Sequence, residues 1–536
     1  MSGLSRRRRY LVLAICCLSL FIVGLDATIV NVALPNIGRE LHSSVSGLQW
    51  TIDAYSLVLA SLLMLSGSTA DRVGRRRTFQ AGLAVFTLGS LLCSIAPGLG
   101  WLVAFRMLQA VGGSMLNPVA MSIITNTFTE PAERARAIGV WGGVFGLSMA
   151  MGPVLGGVLV DAVDWRGVFW VNIPVGIAAL VLTALFVPES KAPRPRRLDP
   201  FGQLLVIVLL GSLTYAVIEG PAYGWGSARI VSFLAVAVIA LAVFLAYEPR
   251  HPEPLVDLRF FRSLPFSGAT VTAVSAMAAL GGFLFLNTLY LQEVRGYRPL
   301  VAGLFLLPMA AAMAVSAPLA GRMVARRGTR MPLLIAGAGL TAAGVLLTAL
   351  TASTSTGYLV LSYLVFGVGM GMVNAPITNS AVSGMPREQA GVAAGIASTS
   401  RQVGQVLGVA VVGSVLTANL HGPLGSGFAA ATRPAWWIIA ACGFAVIILA
   451  LVTTSQRGRA SAAKTATLVA IAEEAAQKVP GALANASDTA TARTASADDA
   501  EGQARRAAAL HERGDLVPVD MIGHDVGQRP RDAQPR

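Results

Sequence analysis

Charge is what this 536-residue chain has least of: 13% of residues are Asp, Glu, Lys or Arg, while 54% are apolar and the mean hydropathy is +0.65. A soluble globular domain carries about 25% charged residues, so an ordinary water-soluble enzyme is excluded. Lysine occurs three times, at Lys191, Lys464 and Lys478, so the net charge of +14 is carried by arginine. The arginines gather in short clusters between long apolar runs, where they set membrane topology rather than contact nucleic acid. Cysteine is scarce too. Cys16, Cys17, Cys93 and Cys442 all lie inside apolar runs without metal-ligand spacing, so they read as small core residues. The five histidines fall in loops or the tail, and no P-loop, nucleophile elbow or metal-ligand cluster is present. Enzymatic chemistry finds no support, no cofactor is called for, and any energy for transport has to come from an ion gradient.

What is abundant is apolar sequence in lengths that cross a bilayer, about 20 residues each. Fourteen such runs can be drawn, near 10–34, 46–70, 78–96, 100–124, 134–160, 164–187, 201–219, 229–247, 266–291, 299–323, 331–351, 357–380, 390–418 and 435–454. The first follows "RRRR" and reads as an uncleaved spanning helix, since no small-residue cleavage site follows it. The loops alternate: "DRVGRRR", "ERAR", "KAPRPRR" and "RMVARRGTR" against "PGLG", "DAVDW" and "TASTSTG". The positive-inside rule places the arginine-rich set and both termini in the cytoplasm. Twelve spans is the rival count, if the pair near 201–247 does not cross.

The chain also repeats itself. Gly67 and Gly74 recur as Gly321 and Gly328, 254 residues on; Gly139, Ser148, Gly152 and Gly157 recur as Gly395, Gly404, Gly408 and Gly413, 256 on; Gly112 and Asn117 recur as Gly369 and Asn374, 257 on. Spans 1–6 and 9–14 are thus expected to be two copies of one six-helix unit, with spans 7 and 8 inserted between them. Two parallel repeats with a substrate path at their interface is transporter architecture. The expected fold is all-α and membrane-embedded. Its parts are a basic cytoplasmic N-terminus (1–9), an N-terminal bundle (10–187), a linker with the inserted pair (188–264), a C-terminal bundle (265–454) and a cytoplasmic tail (455–536). The tail is rich in Ala, Thr and Asp and reads as mostly disordered, with a short helix near 462–478.

Five motifs stand in order: "LDATIVNVALPNI" (25–37), "GSTADRVGRRR" (67–77), "RMLQAVGGS" (106–114), "GVWGGVFGLSMAMGPVLGG" (139–157) and "WRGVFWVNIP" (165–174). With fourteen spans they resemble the major facilitator superfamily, in its fourteen-helix drug:proton antiporter branch. The third motif has Ala110 and the fourth Ser148 where the family pattern has glycine. The resemblance implies export of hydrophobic, drug-like small molecules in exchange for protons across a bacterial cell membrane, by a monomer without nucleic-acid partners. It further implies that Gly67, Asp71, Arg72, Gly74, Arg75 and Arg76 form a cytoplasmic gating loop, and that Gly139, Gly152, Pro153, Gly156 and Gly157 form an antiporter motif. The alternative for the loop is a topogenic charge cluster; close packing by the glycines does not oppose the motif, because rocking of the halves would use it.

Charged residues deep in apolar runs of the N-terminal half are Asp26, Asp53 and Arg106. Intramembrane ionisable residues default to functional roles. Counted along their helices, all three lie roughly 9–14 Å below the outer surface, which suggests one shared polar site. Asp26 has apolar neighbours at Ile22, Val30 and Ala33, a setting that disfavours its charged form. The two carboxylates are the protonation candidates, with Arg106 modulating them. The alternatives are a static Asp26–Arg106 ion pair and an Asp53 wetted near the headgroups. Two other functions fit the chain less well: an exporter dedicated to one metabolite or self-made antibiotic, and a membrane receptor or scaffold that uses the tail.

Overall fold

The structure is a computed structural model, and it describes residues 5–192, 199–251, 254–383, 390–422 and 424–468. Among these residues every regular element is helical. We number the spans α1 (Arg6–Glu40), α2 (Val45–Val73), α3 (Arg75–Ser94), α4 (Leu99–Thr127), α5 (Pro131–Ala162) and α6 (Gly167–Phe186, broken at Val171). The inserted pair is α7 (Pro200–Tyr223) and α8 (Ala228–Tyr247). Then follow α9 (Leu264–Leu289, continued by a π turn Tyr290–Val294), α10 (Pro299–Arg327, broken at Leu306), α11 (Arg330–Leu347), α12 (Thr356–Val382, broken at Met372 and Val373), α13 (Ala390–Asn419) and α14 (Leu424–Thr453).

Thirteen of these are long and apolar enough to cross a membrane. The remaining one, α3, has the length at 20 residues, but its first turn is Arg75–Arg77 and it carries Gln80, which dilute its hydropathy. It packs between α4 and α6 like any other member of the bundle.

Local chemistry sets the ends. Ser44 caps α2 by accepting the Gly47 amide, Ser227 caps α8 through Ile230, and Ser355 caps α12 through Tyr358. Asp199 accepts the Gly202 amide just before Pro200, the residue type that favours a first turn. Gly74 ends α2 at φ +127° and Gly328 ends α10 at φ +75°, backbone conformations an L side chain rarely adopts.

The repeat is visible in the packing. In the N-terminal half α1 meets α5, α2 meets α4, and α3 meets α4 and α6; in the C-terminal half α9 meets α13, α10 meets α12, and α11 meets α12 and α14. Each pair maps onto its partner when eight is added to the span number. Between halves the contacts are again a symmetric set, α2 with α13 and α5 with α10. The inserted α7 lies along that seam, touching both α2 and α13, while α8 packs mainly on α7 and turns Val238 and Ile239 outward. Apolar side chains facing outward are what a lipid-facing surface requires.

Two boundaries differ from the expectation. Arg6–Arg9 belong to α1 rather than preceding it, because Ser5 caps the helix and Arg9 pairs with Glu133 on α5. At the other end residues 456–468 are helical, and Ser461 accepts the Leu264 amide at 3.0 Å. The rest of the anticipated short helix, and the tail beyond it, lie outside the described residues.

Candidate transport site

Arg106 is 2% exposed and Asp26 0%, and they form an ion pair of 2.6 Å between α4 and α1. The pair is fully dressed. Asp26 Oδ1 accepts Gln109 Nε2 at 2.9 Å and Asn172 Nδ2 at 3.2 Å. Arg106 also donates to Gln109 Oε1 at 2.6 Å and from Nε to the Thr51 carbonyl at 3.3 Å. Its guanidinium lies 4.1 Å from the centre of the Tyr55 ring, a cation–π contact. Gln109 in turn donates to Ser90 at 2.7 Å. A buried charge pair survives desolvation only with such extra bonds. The surround of Asp26 is therefore polar, supplied by α4 and α6; the apolar neighbours on its own helix gave no hint of this.

The expected trio divides. Thr51 and Tyr55, which hold Arg106, lie on one face of α2. Asp53, two residues from each, points the opposite way. It shares a face with Gln49, one turn earlier, and Gln49 Nε2 donates to the Val409 and Ala410 carbonyls of α13 at 3.1 and 2.9 Å. Asp53 therefore sits on the seam between halves, fully buried, with neither carboxylate oxygen hydrogen-bonded.

The C-terminal half carries an uncharged counterpart of the ion pair. Tyr363 stands 257 residues after Arg106, the offset of this span pair, and its hydroxyl donates to Asn287 of α9 at 2.6 Å. The first and fourth helices of each repeat are thus joined by a polar couple, charged in one half and neutral in the other, with Asn287 about one turn beyond the place equivalent to Asp26.

Toward the arginine-rich end lies a cavity of about 640 Å³. Leu63, Met64, Met121 and Trp141 give it apolar walls from the N-terminal half, Val392 and Ala397 from α13, and Leu255 from the linker. Ser68, Asn117, Ser122 and Ser398 supply scattered polar groups. This size and lining match a drug-sized ligand pocket.

The loop after α2 is tied to its own half. Asp71 binds Arg75 at 2.7 Å, and Glu189, beyond α6, accepts the Arg76 amide at 3.0 Å and the Arg77 amide at 3.3 Å. Backbone bonds Arg75 N to Ser190 O and Ala192 N to Asp71 O close the join. Gly74 has no space for a side chain, since a Cβ would stand 2.7 Å from Glu189 Oε1. Gly67 and Asp71 line the cavity, while Arg72 lies in the last turn of α2. Glu189 is a second acid that the motif does not reveal, so the loop keeps one anionic anchor when Asp71 is removed. Asp71→Ala should accordingly leave the protein inserted with normal expression but lower efflux several-fold; efflux at the wild-type rate in a vesicle assay would reduce Asp71 to a topogenic charge.

The α5 glycines divide by depth. A Cβ on Gly139 would meet nothing within 4 Å. Gly152 and Gly156 press on Thr28 and Ile29 of α1, and Gly157 on the backbone of Leu300 at the start of α10. Pro153 lies inside α5, and its carbonyl faces Gly303 of α10. On the arginine-poor side of this crossing, Asp161 accepts the Leu300 amide at 3.3 Å and pairs with Arg298 at 3.7 Å. Gln292, on the π turn, donates to the Val32 carbonyl at 2.8 Å. The two halves are thus closed on the arginine-poor side and parted at the cavity.

Two helical repeats around a central cavity, with charge buried in one of them, define a multi-pass secondary-transporter fold. The sequence model of the Major Facilitator Superfamily matches residues 16–409, and the chain belongs to that family. It is 41% identical over 418 residues, 78% of each chain, to the Multidrug resistance protein Stp of Mycobacterium tuberculosis. It is 39% identical over 421 residues, again 78% of each, to the Tetracenomycin C resistance and export protein of Streptomyces glaucescens. Among solved structures, a bacterial homologue of the human lysosomal transporter Spinster, titled as inward-facing and unoccupied, superposes with a TM-score of 0.58 at 18% identity, covering 86% of this chain and 98% of that one.

Gln109, Asn172, Ser90 and Tyr55 are the site residues that the sequence reading missed. Gln109 had a signal, since it lies three residues after Arg106 and so on the same face. Asn172 and Ser90 sit singly in apolar helices that only the fold brings to Asp26.

Proposed function

We propose that this protein is a proton-coupled exporter of hydrophobic, drug-like small molecules, working without a cofactor as a monomer in the cell membrane with both termini cytoplasmic. The observation that carries the reading is the asymmetry between repeats: a buried Asp26–Arg106 couple in one half, a neutral Asn287–Tyr363 pair in the other, and an apolar cavity between them. Similarity to relatives named for multidrug resistance and drug efflux supports the substrate class.

In the proposed cycle, Asp53 carries the proton in this conformation. An ionised carboxylate buried without a partner costs several kcal/mol, and Asp53 lies on the α2–α13 face that must part when the outer side opens. Asp26 keeps its ion pair with Arg106 and positions α4 relative to α1. Opening the seam wets Asp53 and changes its charge, which ties proton release to the change of access.

The test uses everted membrane vesicles. Those carrying the protein should accumulate a fluorescent, uncharged hydrophobic compound when an inside-acid proton gradient is imposed and release it on addition of an uncoupler; accumulation that ignores the gradient sinks the reading. Orientation is tested separately. A reporter fused after residue 225 should read outside and one after residue 195 inside, and two cytoplasmic readings would mean the inserted pair does not cross. The 39% identity to an antibiotic export protein favours a second reading, export of one dedicated compound. Transport of a single member of a chemically varied panel would select it.

A further inference from the structure

We propose that Arg401 of α13 is a substrate-binding cation, which makes the cavity selective for flat apolar molecules that bear an acidic oxygen, a carboxylate or a phenolate. This rests on the exporter reading above and names the substrate class of that cavity.

Arg401 lines the cavity. Among the described residues its one hydrogen bond is to the Thr378 hydroxyl at 2.8 Å, and its Nε–H is buried without an acceptor. No carboxylate pairs with it among the described residues. A guanidinium presents five donors and holds its charge at any physiological pH, so one that is largely enclosed and unpaired inside a transport cavity is poised for an anionic acceptor. The fold does not need it there. By the 256-residue offset between the two spans, Arg401 occupies the place of Phe145 in α5. One repeat fills the position with an aromatic ring and the other with a cation.

The rest of the lining agrees. Trp141 offers a flat apolar face on the same cavity, and its indole N–H also lacks an acceptor. Two acids, Asp71 and Asp199, line the cavity as well, and of their oxygens Asp199 Oδ2 is buried without a hydrogen-bond partner. Asp71 is paired with Arg75, and Asp199 accepts from the Gly202 amide and the Tyr247 hydroxyl. They stand at the cytoplasmic mouth, at the end of α2 and the start of α7. Arg401 lies eleven residues into α13, about 16 Å along the helix. A ligand that passes the mouth meets its uncompensated positive charge at depth, beside an aromatic wall.

The experiment measures equilibrium binding to the full-length purified protein, with no proton gradient, of anthraquinone-2-carboxylate and its neutral carboxamide. The ring system is shared, so the ratio of affinities isolates the charge. Wild type should favour the carboxylate by roughly tenfold or more, in the range of a charge-assisted bond in an enclosed site. Arg401→Gln should bring the ratio to about one, and Arg401→Lys, which keeps the charge but not the fork, should retain an intermediate ratio. No preference in wild type overturns the proposal. So does an unchanged ratio in Arg401→Gln, including the case in which both ligands weaken together, because Arg401 would then hold the helix and not the ligand. Failure of proton-driven transport leaves these ratios untouched and counts against the exporter reading alone.

Discussion

Asp26→Asn should abolish uphill efflux, by a hundredfold or close to the assay floor, while the protein still inserts. The carboxylate takes three donors, from Arg106, Gln109 and Asn172. An amide of the same shape has one acceptor oxygen and turns an NH2 group toward one of those donors. It also leaves the Arg106 charge without its partner, a change that costs roughly 3–5 kcal/mol in a buried pair. Each decade of transport corresponds to about 1.4 kcal/mol, so the loss is large even if part of the strain relaxes. Asp26→Glu, which keeps the charge on a longer arm, should retain a measurable fraction of efflux. The measurement is accumulation of the same fluorescent compound in everted vesicles at matched expression. Wild-type uphill transport by Asp26→Asn, still abolished by an uncoupler, would show that the ion pair is not needed to position α4 against α1. Asp53→Asn then discriminates: it mimics the neutral form held in this conformation, so it should bind substrate yet fail to couple.

The fold was legible because its signals are long and redundant. Fourteen apolar runs, alternating loop charge and glycines recurring at one offset each point to the same two-bundle arrangement, and the packing of α1 on α5 and α9 on α13 follows it. The site was half legible. Charges deep in apolar helices announce themselves, so Asp26, Asp53 and Arg106 stood out. Their grouping did not follow, because depth along a helix fixes height but not facing. Thr51 and Tyr55 turn one side of α2 to Arg106, and Asp53 turns the other to α13. Partners that are merely polar, such as Asn172 from α6 and Ser90 from α3, leave no trace in hydropathy. Arg401 was hidden for another reason: it sits in a repeat whose glycines drew attention to packing, and only the cavity shows that it lacks an anion.

The crossing of α5 and α10 gives the second large effect. A Cβ on Gly303 would stand 2.2 Å from the Pro153 carbonyl oxygen and 2.8 Å from its carbon, and one on Gly157 would stand 2.5 Å from Leu300 Cα. These obstacles are backbone, not the ends of flexible side chains, so neither helix can make room without moving as a whole. Gly303→Val should therefore hold the outer ends of the halves apart. Overpacking of this kind costs typically 1–3 kcal/mol, and 1.4 kcal/mol moves a two-state equilibrium tenfold. If closing here is one half of the cycle, transport should fall at least tenfold while insertion is kept. Conformation can be read apart from transport. Val160, near the outer end of α5, is 6% exposed, and three of the four native cysteines are buried, with Cys442 half-buried. A cysteine at position 160 should react slowly with an impermeant maleimide added from outside, and at least five times faster when Gly303→Val is also present. The bulk on α10 would then act by opening the outer side and not by a general loss of structure, which the cytoplasmic loops would report by faster labelling at both ends. Unchanged reactivity together with unchanged efflux would show that the halves do not separate at this crossing, and the glycines of α5 would be packing residues alone.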